Sequence, residues 1–83
     1  MMLGRINEEK GFLFNVGNIE YIIALCTQTK RNGNVAILLC GSGECITVSN
    51  LTKDNSGNYT WDLGYRARNY NDAVNNYMTR ITA

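Results

Sequence analysis

The chain sets short apolar runs between glycine- and asparagine-bearing steps, and its period changes once, near residue 70. Before that point apolar and polar positions alternate, broken at Gly17-Asn18, Asn32-Gly33, Ser42-Gly43 and Asn55-Ser56-Gly57. A period of two between such turns predicts antiparallel hairpins. Five strands are expected: Gly11–Val16, Ile19–Thr29, Asn34–Cys40, Glu44–Leu51 and Asn58–Arg66. After residue 70 the stripe Ala73, Val74, Tyr77, Met78 and Ile81 has helical spacing. Asn71 is the expected N-cap, Asp72 suits the positive pole and Arg80 the negative one. The expected fold is α+β, in one domain over residues 1–83. It is a five-stranded antiparallel β-meander with one C-terminal amphipathic helix packed on one face.

The turns imply a register. Two-residue loops at Gly17-Asn18, Asn32-Gly33 and Ser42-Gly43 pair Val16 with Ile19, Leu25 with Cys40, and Cys40 with Cys45. A bulged loop at Asn55-Ser56-Gly57 pairs Leu51 with Trp61 and Thr47 with Tyr65. This register gathers Phe12, Phe14, Tyr21, Trp61 and Tyr65 on one face, and the helix is expected to cover it. The other face then carries Ile22, Cys26, Val35, Ile37, Leu39, Ile46 and Val48, too apolar for open water. A homodimer or partner contact through Ile22, Val35, Ile37, Leu39, Ile46 and Val48, with Arg66 and Arg68 at its rim, is expected to bury it; a barrel-like curl of the sheet is the alternative.

Composition narrows the class. At 45% apolar and 18% charged, the 83 residues can fold, but a chain this short buries only about 60–65% of its unfolded surface. Net charge is +1, which argues against nucleic acid as a partner. The longest apolar run, Val35 to Cys40, is far below the ~20 residues of a membrane-spanning helix, and residues 1–10 lack the apolar core of a signal peptide. Three cysteines without a Cys-x-x-Cys pair read as reduced, cytoplasmic thiols. A strained Cys40–Cys45 bridge is the alternative.

Histidine is absent, which removes the commonest general base, the partner of a nucleophilic cysteine and a zinc ligand. The carboxylates are scattered and Gly41-Ser42-Gly43 lacks the lysine of a P-loop. No catalytic residue, metal site or cofactor is expected. The stretch Trp61–Tyr70 stands apart. Alternation places Asp62, Gly64, Arg66 and Arg68 on one face, with Gly64 opposite Val48 leaving a gap beside two guanidinium groups. Asp62, Arg66, Arg68 and Tyr70 are therefore the candidate site for a partner or an anionic ligand, against the plainer reading of a polar edge strand. Lys30-Arg31 reads as a soluble turn.

From Thr47 to Arg80 a strand leads to a polar hairpin, then Trp-x-x-Gly-Tyr, then the short helix beginning Asn71-Asp72-Ala73-Val74. This layout resembles small accessory proteins of phages and mobile elements, and the twelve asparagines fit an AT-rich phage genome. The size and charge balance also resemble anti-defence proteins, including anti-CRISPR proteins. That resemblance implies a non-enzymatic inhibitor that binds a host effector in the cytoplasm, without nucleic-acid mimicry at a charge of +1. Two other readings stand beside it. One is a cyclic-nucleotide binder or sponge using Arg66, Arg68 and Tyr65 or Tyr70. The other is a weak nucleic-acid-binding module.

Overall fold

A computed structural model describes residues 13–41 and 43–83. The elements are β1 (Leu13–Val16), β2 (Ile19–Thr29), β3 (Gly33–Cys40), β4 (Cys45–Lys53), β5 (Tyr59–Ala67) and α1 (Tyr70–Ile81). The strands form one antiparallel sheet in the order β1-β2-β3-β4-β5, the meander expected from the turn spacing. Phe12 and the first ten residues lie outside the described residues. Among those described, no helix is long and apolar enough to cross a membrane.

Registers differ from expectation because of loop length. Gly17, at a φ of 63°, makes the first turn as predicted and pairs Val16 with Ile19. The β2–β3 loop instead spans residues 30–32 and pairs Thr29 with Gly33. The Thr29 hydroxyl closes it, accepting from Asn32 N (2.9 Å) and donating to Gly33 O (2.9 Å). The β3–β4 loop is also one residue longer, so Leu39, not Cys40, faces Cys45. A one-residue slip moves a strand's side chains to the other face. Cys40 and Cys45 therefore point to opposite sides of the sheet, where no bridge can form, and all three cysteines are free.

The slip also changes which face the helix covers. α1 packs on Val35, Ile37, Cys45 and Ala67 through Ala73 and Tyr77, with Leu25, Leu39, Val74 and Ile81 at the margin. It does not cover Tyr21 and Trp61, whereas Tyr65, expected beside them, stands on the helix side, paired with Thr47 and donating its hydroxyl to Asp72. Two small residues in facing positions, Ala67 and Ala73, let helix and sheet approach closely, and two buried polar contacts fix the dock. Thr47 Oγ1 donates to Ala73 O at 2.9 Å, and the Thr27 and Tyr77 hydroxyls share a hydrogen bond. Asn69, not Asn71, is the N-cap, its side chain accepting from Asp72 N.

The opposite face holds Tyr21, Ile23, Ala36, Leu38, Val48, Leu51 and Tyr59, with Ile46 and Trp61 packed against them. Tyr21 and Trp61 meet edge to face with ring centroids 5.3 Å apart. They stand on β2 and β5, which β3 and β4 would separate by about 14 Å in a flat sheet. The sheet is therefore curled, and the curl encloses the side of Tyr21 and Trp61, not the face of Val35 and Ile37 that was expected to be free. The six residues assigned to a dimer face do not share one. Val35, Ile37 and Leu39 lie under α1, Ile46 and Val48 lie in the aromatic cluster, and Ile22 is 39% exposed.

Candidate interaction surface

The four predicted site residues fall into two places. Arg66 Nε lies 3.7 Å from Glu44 Oε2, and Arg68 Nε lies 3.5 Å from Asp72 Oδ2, so each guanidinium has its own carboxylate. Tyr70 opens the helix and is exposed. Asp62 does not join them. It pairs with Ser49, on the helix side of the sheet, because β5 carries an extra residue between Asp62 and Tyr65. The gap foreseen over Gly64 is filled. A Cβ there would stand 3.3 Å from Trp61 Nε1 and 3.7 Å from Ile46 Cγ2. The indole thus covers the bare glycine.

Asp72 ties the start of α1 to β5. Its carboxylate accepts from Arg68 N (3.0 Å) and from the Tyr65 hydroxyl (2.8 Å). Those donors, the Arg68 amide first, hold its pKa below the usual carboxylate value, and the same contact raises that of Tyr65. Asp54 is lowered likewise, first by the Asn58 amide and then by that of Ser56. A carboxylate whose folded pKa is depressed stabilises the fold above its unfolded value, about 3.9, and loses that contribution as pH falls through the folded value. The melting temperature is expected to hold between pH 7 and 5 and to drop below about pH 4. Asp72→Asn should lower it at pH 7, and the gap between the two proteins should narrow as the pH falls below about 4. An acid limb identical in the variant would contradict this assignment.

The less expected feature lies at the other end of the sheet, around the β2–β3 turn. A hollow of about 340 Å³ is lined by Lys30, Arg31, Asn32, Gly33, Ser49, Asn50, Asp62 and Leu63. Three of these have positive φ: Gly33 at 64°, Asn50 at 55° and Leu63 at 51°. Paired bulges in β4 and β5 produce it at Asn50 and Leu63. Asn50 fits it, with its N–H on Asn32 O (2.8 Å) and Nδ2 on Asp62 Oδ2 (3.1 Å). Glycine is required at 33, since a Cβ would stand 2.6 Å from Asn50 Oδ1 and 3.1 Å from Asn50 Cα. Gly33→Ala should cost about 2 kcal/mol by urea unfolding, from the left-handed φ and the clash together. A cost under ~0.5 kcal/mol would mean that the turn relaxes freely.

Leu63 has no such fit. A bulky residue at positive φ is a true outlier and costs roughly 1–2 kcal/mol. Its side chain is also 74% exposed, the most exposed large apolar group among the described residues. Sequence reasoning missed Leu63, Asn50 and Lys30-Arg31. The bulges that bring them together leave no mark in the alternation, and a Lys-Arg step in a turn looks ordinary.

No protein-family model, curated protein or solved structure matches this chain.

Proposed function

We propose that this protein is a non-enzymatic binding protein of phage or mobile-element origin, acting in the host cytoplasm by occupying the surface of a host effector. The origin rests on the resemblance of the Thr47–Arg80 layout to small accessory proteins of that kind. The mode of action rests on Leu63, an apolar side chain that gains almost nothing from the fold and is held at positive φ. Strain of this kind clusters where a surface is used. An exposed leucine on a stiff double bulge is a knob that an apolar socket on a partner can bury, at about 1.5–3 kcal/mol for full burial. The anti-defence resemblance makes a CRISPR nuclease complex the first effector to test. The nucleotide-sponge reading ranks behind it, because Arg66 and Arg68 each already have a carboxylate neighbour.

The test pairs DNA cleavage by purified nuclease complexes with retrieval of partners from host lysate, using wild type and Leu63→Asn. Asparagine accepts positive φ but offers no apolar knob. Wild type is expected to bind one effector and suppress its activity, and Leu63→Asn to weaken both at least tenfold. An effector inhibited equally by the two proteins, or no effector bound by wild type, overturns the reading.

A further inference from the structure

The basic side chains of the two ends of the sheet are unevenly satisfied. Arg66 and Arg68 each have a carboxylate neighbour, but Lys30 and Arg31 have none among the described residues. Arg80 comes to the same end of the sheet along α1, where its Nη1 donates to Ser49 Oγ at 2.9 Å. Asn32 Nδ2 in turn donates to Arg80 O at 2.9 Å, joining the β2–β3 turn to the end of the helix. Two cations, Lys30 and Arg31, thus line one hollow, Arg80 reaches its wall through Ser49, and the single acid of the lining, Asp62, already accepts from Asn50 Nδ2. Burial lowers the pKa of Arg80, but an arginine remains charged at neutral pH. The hollow has room for a short side chain and has a cationic rim with Leu63 at its edge.

We infer that this hollow receives a carboxylate side chain of the protein partner, held by Lys30 and Arg31 while Leu63 enters an adjacent apolar socket. The inference rests on the reading of Leu63 as a contact residue. Charge complementarity favours an acidic partner surface. The charge of the whole chain, +1, makes the attraction local to this end of the sheet.

Glutarate serves as the probe, with uncharged glutaramide as its control, in amide chemical-shift titrations of labelled protein. Glutarate should saturate on the order of a few millimolar, in the range of a single small anion. It should shift the amides of Gly33, Asn50 and Leu63, and glutaramide should not. In Lys30→Ala/Arg31→Ala, which alters two exposed turn side chains, the affinity should fall at least tenfold. Added salt should weaken it further. Shifts centred on Arg66 and Arg68, or no saturable shift, overturn the inference. Phosphate or a dodecathymidylate binding tenfold more tightly than glutarate also overturns it, in favour of a phosphate ligand. The two readings fail separately. A partner lost by Leu63→Asn but kept by the double alanine variant removes the carboxylate and leaves the proposed function standing.

Discussion

Ile37→Asp is expected to abolish folding. Ile37 is fully buried between β3 and α1, among Val35, Cys45, Ala73 and Tyr77. An unpaired carboxylate there is desolvated with no cation to compensate it, and several kcal/mol of apolar packing are lost as well. A domain this small holds roughly 5 kcal/mol or little more, so the folded state has nothing left. Circular dichroism should show no cooperative melt. Ile37→Ala, a gentler change, should cost about 3 kcal/mol and keep the transition. A folded, monomeric Ile37→Asp protein would place Ile37 on an open face and contradict the helix dock.

Trp61→Ala should cost about 3 kcal/mol. The indole is half-buried rather than sealed, but it has two roles: it meets Tyr21 edge to face across the curl and covers Gly64. Removing it exposes a glycine in the middle of an edge strand and opens the contact between β2 and β5. Trp61→Phe keeps the ring contact and should recover more than half of the loss. A Trp61→Ala protein within about 0.5 kcal/mol of wild type would show that other contacts hold the curl.

The element pattern was legible in the sequence, and the side-chain faces were not. Strand limits follow from alternation between turn residues, and the helix follows from Ala73, Val74, Tyr77 and Ile81. Loop length is a finer matter. Asn32-Gly33 suggests a two-residue turn, yet the Thr29 hydroxyl closes a loop over residues 30–32 and leaves Gly33 in the strand. The residue of difference there is offset by the irregularity between Ile23 and Leu25, and the one between Cys40 and Cys45 exchanged the faces of Ile46 and Val48. Val35 and Ile37 stand on the face expected for them, and the helix covers that face. The extra residue of β5 between Asp62 and Tyr65 had the same effect on Asp62, separating it from Arg66 and Arg68. Local hydrogen bonds of single hydroxyls and amides set these shifts, and apolar periodicity carries no record of them.

If Leu63 is kept for contact and not for the fold, stability reports it without any partner. Urea unfolding of wild type and Leu63→Asn should give equal slopes. The variant should be more stable by about 1 kcal/mol, because asparagine accepts the positive φ that leucine resists. A variant less stable than wild type by a similar amount would make Leu63 a packing residue and contradict the account.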